Sequence, residues 1–137
     1  MKKRVLTVGV YDLLHWGHFE LFRRAKELAG EGGELTVAVQ KDEFVTKYKP
    51  TAKLVYNWDQ RVKMISALRY VNHVVPYGNI DESIKEIDFS VFAVGPDQTH
   101  AGFQRAIEWC RMVGREVVVL QRTEGISSSQ LRKGGLA

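Results

Sequence analysis

The chain predicts an α/β fold: one domain over residues 1–137, with a five-stranded parallel sheet and helices on both faces. Three observations carry that expectation. Short apolar runs recur along the chain, among them ELTVAV at 34–39, which reads as a buried strand. Segments between them carry apolar residues at helical spacing. The first strand, first helix and second strand follow one another with short links, which argues for a right-handed crossover and so for parallel pairing.

Val5–Val8 is the first strand, and Gly9 ends it. Leu14, Leu21, Phe22, Ala25 and Leu28 then mark an amphipathic helix. His15 and His18 are three residues apart and fall on one face of its first turn. Gly17 between them removes a side chain where a ligand can approach the backbone. A helix start offers unpaired N–H groups and the positive end of the dipole, and two imidazoles add donors there. The stretch reads as a phosphate site. Two plainer readings compete. His18 shares a stripe with Leu21, Phe22 and Ala25, so a hydrogen-bonded core histidine accounts for it when taken alone. Zinc needs three or four ligands, and no spaced His/Cys cluster completes the pair. The combination of strand, glycine, Asp12, paired histidines and amphipathic helix in one window favours phosphate.

At 137 residues the chain suits one domain, which buries roughly two thirds of its unfolded surface. No apolar run approaches the ~20 residues of a membrane span, and no signal peptide precedes the first strand. Cys110 has no partner for an internal disulfide, so a cytoplasmic setting and no membrane partner are expected. The net charge of +4 is modest, and the basic residues are spread along the chain rather than gathered in one run. That distribution speaks against a nucleic-acid partner; a basic pocket for a triphosphate and a phosphorylated acceptor explains the balance as well.

Ligands of such sheets bind beyond the carboxyl ends of the strands, where Gly9 and Gln40 fall. Residues 41–55 carry four lysines and one proline and read as a long loop after a helical turn near 42–45. A loop of that length on the ligand side is either a functional lid or a solvated charged segment. Residues 57–68 form a helix capped by Asn57, with Val62, Ile65 and Leu68 inward; an exposed position is the plain reading of Arg61. A third strand is expected at 73–76, a short helix at 81–86 and a fourth strand at 89–94. The next helix runs from Thr99 or His100 to Val113, with Phe103, Ala106, Ile107, Cys110 and Val113 inward and Arg105 and Arg111 solvated. The fifth strand covers 116–120, and Ser127–Ser129 start a last helix. Those serines either cap their own N–H groups or present hydroxyls to a phosphate.

GVYDLLHWGH at 9–18 resembles the GxFDxxHxGH signature of the nucleotidyltransferase superfamily that includes the cytidylyltransferases. RTEGISSS at 122–129 resembles its second signature, RTEGIST(S/T). Both motifs lie in the expected order, and the likeness runs over nearly the whole chain, closest to the glycerol-3-phosphate cytidylyltransferases. The resemblance implies a Rossmann-like domain that transfers CMP from CTP to a small phosphomonoester. Glycerol 3-phosphate is the first acceptor, giving CDP-glycerol and pyrophosphate. The alternative is the same chemistry with ATP or with a sugar phosphate, an alditol phosphate or phosphoethanolamine. It also implies Mg²⁺ on phosphate oxygens without protein metal ligands, and a homodimer whose contact segment is similar to Arg69-Tyr70-Val71.

By the same resemblance, His15 and His18 are the catalytic donors to the α-phosphate region. Lys49, with Lys47 second by spacing, and Arg122 hold the outer phosphates and the acceptor. Gly9, Val10, Tyr11, Gly17, Arg61 and Asp97 form the nucleotide site with Thr123, Gly125, Ile126, Ser127, Ser128 and Ser129. Two departures stand out. The subfamily has GDDW where this chain has Gly95-Pro96-Asp97-Gln98, and a threonine where it has Val10.

Overall fold

The structure, a computed structural model, describes residues 2–121. The second signature at 122–129 and the last expected helix lie outside the described residues. In chain order the elements are β1 (Arg4–Gly9), α1 (Trp16–Ala29), β2 (Glu34–Gln40), α2 (Asp42–Tyr48) and α3 (Trp58–Ser66). Then follow β3 (His73–Tyr77), α4 (Ile80–Ser83) running into a 3-10 turn (Ile84–Glu86), β4 (Val91–Val94), α5 (Ala101–Met112) and β5 (Glu116–Val119). The strands form one sheet in the order β3-β2-β1-β4-β5, and every pair is parallel. This is the predicted α/β architecture.

The register shapes the site. β1 pairs with β2 along its whole length, from Arg4↔Glu34 to Gly9↔Val39. With β4 it pairs only at Val5↔Val91 and Leu6↔Phe92, so the two strands part before their carboxyl ends. Strand order reverses across β1, and a crevice at such a reversal is where doubly wound sheets bind ligands.

Alternation along β1 builds a core on each face. Leu6 and Val8 join Phe92, Phe103, Ala106 and Cys110 beneath α4 and α5. Val5 joins Phe22, Ala25, Leu35 and Ile65 beneath α1 and α3. Fully burying a side chain such as Phe22 contributes about 1.5–3 kcal/mol.

The local differences from expectation have physical causes. α1 starts at Trp16, so Leu14 and His15 precede it and His15 is its N-cap. α2 continues to Tyr48 because Val45 is buried, and because acidic Asp42 and Glu43 at its start and Lys47 at its end complement the helix dipole. The long loop therefore shrinks to 49–57. α3 has a capping box in which Asn57 accepts from the Gln60 N–H at 2.9 Å and Gln60 accepts from the Asn57 N–H at 3.0 Å. It ends at Ser66, ahead of Leu68. Pro76 sits in β3 without penalty because β3 is an edge strand. Val113, expected on the inner face of α5, is instead its C-cap and 50% exposed.

Candidate active site

The turn between β1 and α1 is organised by its two histidines. Nδ1 of His15 accepts from the Gly17 N–H at 3.0 Å, and Nδ1 of His18 accepts from the His15 N–H at 3.3 Å. This is a reciprocal cap made of imidazoles instead of a hydroxyl and a carboxylate. The rings stack, with centroids 3.9 Å apart and planes at 25°. An imidazole that accepts at Nδ1 carries its proton at Nε2, so each neutral ring is left with a donor at Nε2. Burial, then the charge of His15, lowers the His18 pKa to about 4, so His18 is neutral at pH 7 and donates as a neutral N–H. His18 is half-buried. Its Nδ1 bonds the start of the helix while its ring packs edge-on to Tyr11.

Tyr11 shapes the floor of that turn. It adopts φ 55°, a left-handed conformation that costs a non-glycine residue roughly 1–2 kcal/mol. That conformation folds the ring back under β1, where it is buried edge-on to Phe22 (5.2 Å) and to His18 (5.3 Å). Its hydroxyl lies 3.3 Å from Thr7 Oγ1. Burial raises the phenol's pKa and keeps it neutral. A Cβ on Gly9 would stand 2.8 Å from the Tyr11 Cζ. Gly9 thus makes room for a protein ring as well as lining the cleft.

Two carboxylates and one arginine hold the surrounding loops. The Asp12 carboxylate accepts from the N–H groups of Val55 and Tyr56, both at 2.8 Å, and ties the 49–57 loop to the turn. Arg61 is fully buried, not exposed as the plain reading has it. Its Nη1 donates to the Val10 carbonyl at 2.8 Å and its Nη2 to Asp42 Oδ1 at 2.5 Å. Asp42 Oδ2 accepts from the Trp58 N–H at 3.1 Å. Arg61 therefore sits under the site and fixes Val10 from below.

A cleft of about 560 Å³ opens over the carboxyl ends of the strands. Gly9, Val10 and Tyr77 lie in it, with Lys49, His100 and Arg105 among its wall residues. A second cleft of about 430 Å³ shares Val10, Val45 and Lys49 and follows Thr51–Leu54. Lys49 thus stands between two cavities, whereas the Lys47 ammonium lies over the rings of Phe44 (5.9 Å) and Tyr48 (5.7 Å).

Gln98 bridges the crevice where β1 and β4 have parted. Its Nε2 donates to the Val8 carbonyl at 2.8 Å, and its Oε1 accepts from the Gly95 N–H at 2.9 Å. Asp97 beside it is exposed. His100 stands edge-on to Phe103, with centroids 4.6 Å apart. Burial first, then the charges of Arg105 and Lys49, lower its pKa against an opposing pull from Asp81. Arg105 is 61% exposed yet pairs through Nε with Asp81 Oδ2 at 2.7 Å, so it is not merely solvated. That pairing holds the Asp81 carboxyl below its usual range.

Asp81 and Arg105 were not among the residues that motif and resemblance picked out, and Gln98 entered only as a departure from the subfamily pattern, because each is placed by a partner from another element. Arg122, Thr123, Gly125, Ile126, Ser127, Ser128 and Ser129 lie outside the described residues. The described chain ends at Gln121, whose carbonyl accepts from Arg24 of α1 at 2.9 Å.

A doubly wound parallel sheet with a cation-walled cleft over its strand ends, and a histidine-capped helix start just after the cleft residue Val10, defines a nucleotide-handling α/β enzyme. The Cytidylyltransferase-like family matches residues 6–134, and the chain belongs to it: it is a nucleotidyltransferase. It is similar to the glycerol-3-phosphate cytidylyltransferase of Staphylococcus aureus, with 40% identity over 135 residues that cover 96% of this chain and 93% of that protein. It is also similar to the FAD synthase of Methanopyrus kandleri, with 42% identity over 100 residues that cover 72% of this chain and 65% of that protein. The crystal structure of the lipopolysaccharide core biosynthesis protein from Thermoplasma volcanium has the same fold. Its TM-score is 0.71 at 23% identity, covering 92% of this chain and 100% of that one.

Proposed function

We propose that the protein transfers CMP from CTP to glycerol 3-phosphate, forming CDP-glycerol and releasing pyrophosphate. The observation that carries this reading is the reciprocal histidine cap, which commits both Nδ1 atoms to the backbone of the turn that follows the cleft residue Val10 and so puts the proton of each neutral ring on Nε2. An oxygen of the acceptor phosphate attacks the α-phosphorus in line. The new O–P bond forms as the bond from the α-phosphorus to the α,β-bridging oxygen breaks, and that oxygen leaves with pyrophosphate. The acceptor is already anionic at pH 7, so no general base is needed and alignment with charge stabilisation does the work. His15 and His18 donate to the α-phosphate and the bridging oxygen, and Lys49 holds the acceptor phosphate. Arg122, with Thr123 to Ser129, completes the phosphate grip by resemblance to the second signature.

Mg²⁺ enters as part of the nucleotide substrate. Among the described residues no group of three or more His, Cys, Asp or Glu is arranged to hold a metal. The carboxylates of Asp12, Asp42 and Asp81 are engaged by backbone N–H groups or arginine. An ion held on phosphate oxygens and water suits that donor set. The reading extends to a homodimer through Arg69-Tyr70-Val71, of which Arg69 is exposed; sedimentation at micromolar concentration tests it. A cytoplasmic setting agrees with the buried free thiol of Cys110, and no helix of the described residues is long and apolar enough to cross a membrane.

The likeness to an FAD synthase favours a second reading, the same transfer with another nucleotide. Pyrophosphate release from CTP and from ATP, each with a panel of phosphomonoesters, separates the two. Release with ATP alone reverses the choice of base. His18→Ala is expected to lower turnover about 10²–10³-fold in a folded protein. A variant that fails to fold favours a purely structural histidine.

A further inference from the structure

We infer that the Asp81–Arg105 pair at the far end of the main cleft reads the hydroxylated tail of the acceptor phosphomonoester. The inference deepens the CMP-transfer reading and takes from it only the place of the acceptor's phosphate. That phosphate must lie by Val10 and Lys49, close to the histidine cap where the α-phosphorus is attacked. The same cleft continues from there to Ile80 and Asp81 of α4 and to Phe103 and Arg105 of α5, so the rest of the acceptor points at the ion pair.

The pair has the chemistry for a polyol. Arg105 uses Nε for Asp81, at 2.7 Å, and that is the one hydrogen bond described for its guanidinium. Its Nη groups remain as donors next to a carboxylate that accepts. A hydroxyl both donates and accepts, so neighbouring hydroxyls match a guanidinium edge and a carboxylate set side by side. Both side chains are reachable, at 61% and 25% exposure. The charges exclude other tails. Among the described residues Asp81 is the one carboxylate in the cleft lining and is already paired with Arg105, while Lys49 adds a second cation to the same wall, so an ammonium tail finds no unpaired carboxylate there. An apolar tail would cover the ion pair without replacing its water, which is costly.

The test uses the full-length protein, with Arg105→Leu and Asp81→Asn as variants. The acceptors are glycerol 3-phosphate, propyl phosphate (the same skeleton without hydroxyls) and phosphoethanolamine. The wild type is expected to prefer glycerol 3-phosphate over both others by at least about 10²-fold in kcat/KM. Each variant should bring that ratio to within about threefold of unity while the KM for CTP changes less than about twofold. Calorimetric titration with glycerol 3-phosphate needs no turnover; both variants should bind it about tenfold more weakly, a loss of about 1.4 kcal/mol. Absence of turnover with CTP would refute the CMP-transfer reading and leave the titration to decide the subsite. The inference is overturned if either variant keeps the wild-type preference, if the loss falls on CTP, or if all three proteins bind glycerol 3-phosphate equally or not at all.

Discussion

Replacing Arg61 by methionine tests how the site is held. The guanidinium is fully buried and bridges two elements: the Val10 carbonyl in the β1–α1 turn and Asp42 at the start of α2. Methionine fills similar space but leaves the Val10 carbonyl without its donor, at about 1–3 kcal/mol. Loss of the charged bond to Asp42 adds about 1.5–3 kcal/mol, discounted because the Asp42 side chain is 41% exposed and water replaces its partner. Against these stands relief from burying a cation whose Nε has no described partner. The net expectation is a loss of about 2–4 kcal/mol, within the ~5–15 kcal/mol stability of a small domain. With a urea dependence of about 2 kcal/mol per molar, the unfolding midpoint falls by about 1–2 M. Because Val10 is released, kcat should fall at least about tenfold, with a smaller change in the KM for CTP. An unchanged midpoint with a selectively raised KM for CTP would refute the reasoning and make Arg61 a direct nucleotide ligand.

Three further perturbations probe the same frame. The folded pKa of His18 is depressed from its ordinary 6.5 to about 4, so its contribution is complete above pH 6.5 and is lost as pH falls toward 4, by up to about 3 kcal/mol. Urea midpoints at pH 7 and 4.5 should therefore differ more in the wild type than in His18→Asn, and equal acid-side slopes would remove His18 as the cause. Gln98→Leu strips partners from the Val8 carbonyl and the Gly95 N–H and should cost about 1–3 kcal/mol and lower turnover, read by denaturation and pyrophosphate release. Gly9→Ala drives a methyl into the Tyr11 ring and should destabilise by about 1–3 kcal/mol; a wild-type midpoint would show that the ring moves freely.

Some of the site was legible in the residues and some was not. The histidine pair, the strand before it and the helix after it are neighbours in the chain, so spacing alone brings them together. Lys49 was reachable through loop length and resemblance, and its place between two clefts distinguishes it from Lys47. Resemblance pointed to Arg61 as well, but nothing in the chain signalled its burial. An arginine in a polar stretch of helix reads as exposed, and only the approach of Val10 and Asp42 from other elements buries it. Gln98 looked like the loss of a tryptophan, yet it is a bridge made necessary by a β1–β4 ladder that stops at Leu6 and Phe92.

The sequence by itself determined the sheet-and-helix alternation, the two apolar faces of β1 and the pairing of two histidines at the start of α1. These depend on period and on contiguous residues, which the chain carries locally. The tertiary structure decided which strands part, what lies beneath the turn and which charges meet across the cleft. Asp12 with the 55–56 backbone, Arg61 with Val10, and Asp81 with Arg105 are pairings between distant segments. Their energies appear only once the sheet has set the separation of the groups, because hydrogen bonds and close ion pairs fade within a few ångströms.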